Sequence, residues 1–442
     1  INLSDSTGWA RVCVLERLPA QSEEFSFNDD TCCGGTGGAD SSSHEESPRT
    51  AGVRLQILRS VVRQLAVGNV VTTAIAEEIL AKVIFSLSAL VCIEPTAAPI
   101  DVVIPSHASA VVCDAFERQT ALLDLDSATR HKLACEWSAL CLKASEQVQS
   151  CSLRHSLAER WCDKSLNVES DLLQWGDDSR KGAPRYVLLK FEGQEVCRLD
   201  ERRFDILVAS YSSCMRHDDD DLHAVRMLTR MVVMVRRYQS LMLGSRCMGM
   251  HAALPSSIFD VLRDRFGCTT ECFASPLNST LGAHCSIFPD TDRFFGSVGC
   301  SFFDFWPVEG SFQCNPVFAV NIAFKMFAHI AELLHQSALC LSFVVFIPTQ
   351  LFEKTLPGSP FAVDAASHSC MRRSLTVASG AHAYVRGEQH TLFHGERPSN
   401  RAEFDTTVCF LQNDAGMLAH PACDTAVAAL TQAWESVSVK CK

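Results

Sequence analysis

The chain has 442 residues, 47% apolar and 20% charged, which is the composition of a folding polypeptide and excludes a disordered or fibrous one. Its net charge of −12 excludes a histone-like polycation. Residues 1–50, however, hold nine acidic residues against three arginines, so half of the excess lies there and the remainder can still form a basic cleft.

Length alone suggests two or three domains. The 22 cysteines are irregularly spaced and include no Cys-x-x-Cys pair, so zinc ribbons and thioredoxin-like sites lack their local ligand pairs; no metal is expected. Reduced thiols of an intracellular, non-secreted protein are the expectation. The opening Ile1-Asn2-Leu3-Ser4 is unlike a signal peptide, and the absent initiator Met suggests a fragment or a trimmed chain. The most apolar helical run, Val71 to Cys92, contains Glu77, Glu78 and Lys82, too many charges for a bilayer span.

Residues 1–52 read as an acidic, low-complexity segment. Its Gly34–Gly38 cluster has no preceding strand and no following Lys-Ser/Thr, so a linker is expected there, not a phosphate cradle. Residues 53–253 read as mainly helical. Leu55, Leu58, Val61, Val62 and Leu65 recur at three- and four-residue steps, as do Val71, Ile75, Ile79, Val83 and Leu87. A third helical stretch, Phe116 to Leu157, is expected to break near Ser127 and Cys151. A β-hairpin near 185–199 follows, turning at Glu192-Gly193-Gln194. Helices over Glu201–Ser212 and Asp219–Met242 come next, the second capped by the acidic run Asp218–Asp221. Arg226, Arg230, Arg236 and Arg237 share no stripe on that helix and read as solvated.

Residues 254–442 change style. A helix starts at Leu254-Pro255-Ser256-Ser257. Short apolar runs follow at Glu271–Ser275, Ser301–Phe305, Leu341–Pro348, Ser374–Val377 and Thr407–Leu411, with helices such as Ala319–Leu334 between them. Near-continuous apolar strands alternating with helices predict an α/β fold, its open, mostly parallel sheet covered on both faces.

Such sheets bind ligands beyond the carboxyl ends of their strands. Two loops there carry suitable chemistry. In the first, Phe273-Ala274-Ser275-Pro276-Leu277-Asn278, short polar side chains and the first amides of a following helix could hold an amino-acid-like group. The second is Asn315-Pro316-Val317-Phe318. Asn-Pro-x-aromatic at a strand end is the pattern of amino-group methyltransferases acting on adenine. The exocyclic amine is a poor nucleophile, and a carboxamide oxygen and a backbone carbonyl can accept its two N–H bonds as positive charge develops. Proline holds its carbonyl stiffly, and an aromatic ring stacks on the extruded base.

Five blocks in order, Glu271–Asn278, Phe288–Ser297, Gly310–Phe318, Leu341–Pro348 and Phe410–Asp414, resemble the cap-specific mRNA adenosine-N6-methyltransferase family, also known through the phosphorylated CTD-interacting factor. The resemblance implies a Rossmann-like methyltransferase sheet preceded by a helical domain, with S-adenosylmethionine as methyl donor. Its implied substrate is the first transcribed 2′-O-methyladenosine beside the 7-methylguanosine cap. It further implies Asn315, Pro316 and Phe318 as catalytic and Phe273–Asn278 as cofactor loop. Asp290, Asp292 and Asp304 are candidates for the cofactor, Asp304 because it stands at an expected strand end. Val317, Pro348, Tyr384, Arg386 and His390 are placed on the substrate side.

Capped mRNA and a nuclear location, with the cytoplasm as a second compartment, follow from the resemblance; a membrane partner does not. Polymerase-tail binding is not expected, because no WW module is read in these residues. The chain departs from the family pattern at Val317, where a second proline is usual, at Thr349-Gln350, where Glu-Trp is usual, and at Ala319-Val320, where a carboxylate is expected. Trp306, Tyr384 or Phe393 could supply the missing aromatic. These departures motivate the alternative of a non-catalytic or substrate-shifted relative.

Overall fold

The computed structural model describes residues 48–67, 75–77, 79–81, 83, 113, 116–117, 120, 126–154, 173–176, 186–191, 194–215, 223–241, 252–355, 370–385 and 399–440. Helix α1 (Pro48–Val67) buries Ala51, Leu55, Leu58 and Val62, one stripe at helical spacing. Helix α2 (Ser127–Arg154) runs unbroken through Cys151, where a break was expected, and stacks Trp137 on Phe116 at 5.2 Å. The expected hairpin is present as β2 (Tyr186–Phe191) and β3 (Gln194–Asp200), joined by an unforeseen β1 (Leu173–Gly176) in the antiparallel order β1-β2-β3.

Asp200 caps α3 (Glu201–Cys214) by accepting the amides of Arg202 and Arg203. The Asp218–Asp221 cap expected for α4 (His223–Gln239) lies outside the described residues. The solvated reading of the α4 arginines is corrected for two of them. Arg230 donates to the Tyr211 hydroxyl at 2.7 Å and lies 3.9 Å over the Phe294 ring, and Arg237 pairs with Asp290 at 3.1 Å.

Helix α5 (Ser256–Phe266) ends at Gly267, whose φ of 65° favours glycine and where a Cβ would lie 2.3 Å from the His420 ring. The main sheet has six strands in the order β5-β4-β6-β7-β11-β8. β4 (Cys268–Glu271), β5 (Ala283–His284), β6 (Gly310–Cys314) and β7 (Leu341–Pro348) run parallel. Helix α6 (Val320–Gln336) makes the crossover from β6 to β7. β8 (Met371–Val377) and β11 (Thr406–Gln412) are antiparallel partners, β11 pairing with β7 as well. β9 (Ala383–Val385) and β10 (Ser399–Arg401) form a separate pair, and α7 (Asp424–Lys440) packs on α5.

The sheet is therefore mixed, where a mostly parallel one was expected. β7 and β11 are covered on both faces, but β8 alternates between half-buried and exposed residues. Two expected strands are corrected. The run Glu271–Ser275 is strand only at its first residue, and Phe302–Asp304 is a 3₁₀ turn. Its aromatics are apolar because Phe302 anchors the turn against Phe273 and Phe343, at 5.0 and 6.3 Å, not because they line a pleat.

Cys272, Cys285, Cys314 and Cys409 share one face of the sheet and one core. Cys272 N–H donates to the Gln313 carbonyl and Cys285 N–H to that of Glu271, both at 2.8 Å, which sets the first three residues level at the ends of the adjacent strands β5, β4 and β6. No disulfide joins the described cysteines. No helix among the described residues is long and apolar enough to cross a membrane.

The helical half and the sheet half share a core: Leu277, Phe288, Phe294, Phe295, Ala319 and Ile322 pack with residues of α1 to α4. Within that contact the buried Tyr238 hydroxyl donates to Asp292 at 2.5 Å. Burial, outweighing this bond, pushes the Asp292 carboxyl up to about 7. The fold thus holds a proton that the unfolded chain releases near pH 4. That stabilisation is complete at lower pH and is lost as pH rises through about 7. Asp292→Asn should therefore gain stability relative to the parent as pH rises from about 4 to about 7, by at most roughly 1.4 kcal/mol per pH unit. Urea melts across that range would read it, and a pH-independent difference would sink the assignment.

Candidate functional site

Because β4, β6 and β7 are parallel, the segments that leave them emerge on one edge of the sheet. Antiparallel β11 begins at the same edge: Thr406 lies opposite Pro348, and the Asp405 carbonyl accepts Thr349 N–H at 2.8 Å. Asn315 follows directly on β6. Its Nδ2 donates to the Ala252 carbonyl at 2.9 Å, which fixes the orientation of the carboxamide, since only the nitrogen can donate. Its Oδ1 is buried and meets no hydrogen-bond donor. Ala253 and Val385 exchange backbone bonds of 2.9 and 2.8 Å, tying the Ala252 segment to β9.

Pro316 is buried, while Val317 and Phe318 are half-buried. The Phe318 ring meets Tyr384 and Phe404 edge-on, at 6.0 and 5.7 Å. Beneath it, one Thr406 hydroxyl contacts both the Tyr384 hydroxyl at 3.1 Å and His382 Nε2 at 2.8 Å. Burial pushes the Tyr384 phenol up and holds His382 below the ordinary histidine range. Asn315 to Phe318, Pro348 and Tyr384 are thus gathered at one edge; Arg386 and His390 lie outside the described residues.

The turn after β4 departs from expectation because no helix follows it. Phe273 packs on Phe302, and Ala274 N–H donates to the Cys285 carbonyl at 3.2 Å. Asn278 Oδ1 accepts from Ser275 N–H at 2.8 Å and from the Ser275 hydroxyl at 3.0 Å, while Leu277 N–H donates to Ser275 Oγ. The amides expected to face a ligand serve the protein instead: Thr280 and Leu281 donate to Glu271 at 2.5 and 2.7 Å. Burial pushes that carboxyl up to about 7, against the pull of these amides and Arg203.

The three acidic candidates are placed differently from one another. Asp290 is exposed and paired with Arg237. Asp292 is 0% exposed and bonded to Tyr238 and Thr291. Asp304 is exposed on the 3₁₀ turn, where it accepts from the Ser301 hydroxyl, so its expected strand-end position is corrected. None of the three presents a strand-end carboxylate, whereas the Asn315 oxygen is a strand-end acceptor without a donor. Of the aromatics considered for the Thr349-Gln350 departure, Trp306 is 48% exposed with its ring edge-on to His329, Tyr384 is buried, and Phe393 lies outside the described residues.

Sequence reading missed Arg203, Glu271, Tyr238 and the Ala252 carbonyl. Arg203 lies 73 residues from its partner Pro276, and no local pattern encodes that pairing.

The mixed α/β fold and the strand-edge Asn-Pro-Val-Phe loop are consistent with a methyltransferase-like protein. Residues 207–387 match the family described as Phosphorylated CTD interacting factor 1 WW domain. The chain is 37% identical over 234 residues, 52% of its length, to the mRNA (2'-O-methyladenosine-N(6)-)-methyltransferase of Homo sapiens, and equally identical to that of Mus musculus. The match spans 32% and 31% of those relatives. The family description carries the words WW domain; in this chain the matched residues include α4, α5, α6 and the strands β4 to β8.

Thr406→Val preserves shape but removes the hydroxyl shared by two buried polar groups. It should cost about 1–3 kcal/mol in urea unfolding. A neutral result would remove Thr406 from the support of the Phe318 cluster.

Proposed function

We propose that this chain methylates N6 of the first transcribed 2′-O-methyladenosine beside the 7-methylguanosine cap of mRNA, using S-adenosylmethionine. The observation that carries the reading is the buried Asn315 Oδ1, orphaned at a strand end with its carboxamide locked by Ala252. A buried acceptor without a partner costs free energy, and an amine N–H would recover it. The relatives' stated activity supports the same chemistry.

When bound, S-adenosylmethionine supplies an electrophilic methyl group. On this reading the turn Phe273–Asn278 meets its amino-acid end through carbonyls and side chains, since the amides of Ala274, Ser275 and Leu277 are spent within the protein. Asn315 Oδ1 accepts one N–H of the adenine amine and the Pro316 carbonyl accepts the other, favouring the positive charge that develops on nitrogen. Phe318 stacks on the base, a contact worth about 1–3 kcal/mol. Tyr384 acts through Phe318, because its own hydroxyl is enclosed by Thr406. Val317, Pro348, Arg386 and His390 lie on the RNA side. Residues 254–442 form the Rossmann-like catalytic domain and 53–253 the helical domain against it, in a nuclear protein.

One observation favours a second reading, binding without catalysis: the loop after Asn315 continues through Val317, Phe318, Ala319 and Val320, with no carboxylate among them. Methyl transfer from labelled S-adenosylmethionine to two short RNAs beginning with adenosine, one capped and one 5′-triphosphorylated, separates the readings. Transfer to the capped RNA alone is expected, with nucleoside mass spectrometry locating the methyl on N6. Asn315→Ala should reduce it about 100- to 1,000-fold while cofactor binding persists. Equal transfer to both RNAs would shift the substrate, and cofactor binding without transfer would favour the second reading.

A further inference from the structure

Arg203 belongs to α3, outside the sheet, yet its guanidinium reaches the turn that leaves β4. Nη1 donates to the Pro276 carbonyl at 3.2 Å and to the Ser279 carbonyl at 2.8 Å. Glu271, the last residue of β4, holds the other polarity of the same turn by accepting the Thr280 and Leu281 amides at 2.5 and 2.7 Å. The two charges also attract each other. Carbonyls held by a cation and amides held by an anion leave the peptide planes between residues 276 and 281 little freedom to rotate. Charge-assisted bonds of this kind are the strong ones.

We propose that Arg203, with Glu271, is a positioning residue for the S-adenosylmethionine turn Phe273–Asn278, so that the helical half of the chain sets cofactor affinity. This rests on the function proposed above. The guanidinium touches neither substrate nor methyl donor on this reading; it acts through the Pro276 and Ser279 carbonyls. A misplaced turn would weaken cofactor binding while leaving the RNA side untouched.

Calorimetric titration of the full chain with S-adenosylhomocysteine tests this, using the parent, Arg203→Lys and Arg203→Met. The Met variant should bind about 10-fold more weakly or worse, and Lys, which keeps the charge, should recover part of the loss. The KM for S-adenosylmethionine should rise in step while the KM for RNA stays put, a split that general destabilisation would not produce. A folded Met variant that binds within about twofold of the parent would overturn the positioning role and leave the cofactor reading intact. If Met does not fold, Arg203→Gln is judged by the same criterion. A parent that binds no S-adenosylhomocysteine would remove the cofactor reading, and this inference with it.

Discussion

Neighbouring strands that run parallel must end on the same side, and the arrangement of the candidate site depends on β4, β6 and β7 obeying that constraint. It brings residues 272–278, 315–318 and 348–349 to one edge although they are far apart in the chain. Antiparallel β11 starts there too, adding Phe404 and Thr406 beneath the Phe318 ring. A wholly parallel sheet would have sent the start of β11 to the opposite edge. The reversal at β11, unforeseen in the apolar pattern, is what completes the aromatic cluster.

Segments that leave a sheet lose their ladder partners, so their backbone groups need other ones. At the edge that carries the candidate site these come from Glu271, Asn278 and, across the chain, Arg203. The opposite edge offers an instructive contrast. There Asn413 spends its whole carboxamide on the protein: Oδ1 accepts from Leu341 and Gly416, and Nδ2 donates to the Ser337 and Leu339 carbonyls. Asn315 spends only its donor. Two asparagines at the two edges of one sheet thus show the difference between a closed structural cap and an amide with an acceptor in reserve, and that difference is why the functional reading rests on Asn315.

Much of this architecture is legible in the residues. Leu341–Pro348 is uninterrupted and apolar because β7 is buried on both faces, and its bounds match expectation. The hairpin and the helix after the Asn-Pro-Val-Phe loop were readable from alternation and from three- and four-residue spacing. Illegible were features decided by distant partners. Glu271–Ser275 looks like a strand, yet the chain turns as soon as Glu271 can take the amides of Thr280 and Leu281. The arginines of α4 look solvated until Phe294 and Asp290 arrive from the other half. Asp304 lost its expected strand because Phe302 serves better as an anchor than as a pleat residue. Periodicity reports burial, but it does not report who supplies the cover.

The cysteines of the sheet carry a different consequence. Cys285 lies just past edge strand β5, Cys272 lies just past β4, Cys314 ends β6, and Cys409 occupies β11, next to the opposite edge strand β8. All four are buried, so a small alkylating reagent reaches each one only when its own strand opens. The chain therefore carries a native set of probes spread across the sheet from one rim towards the other. Their labelling rates would chart, strand by strand, where the sheet first yields.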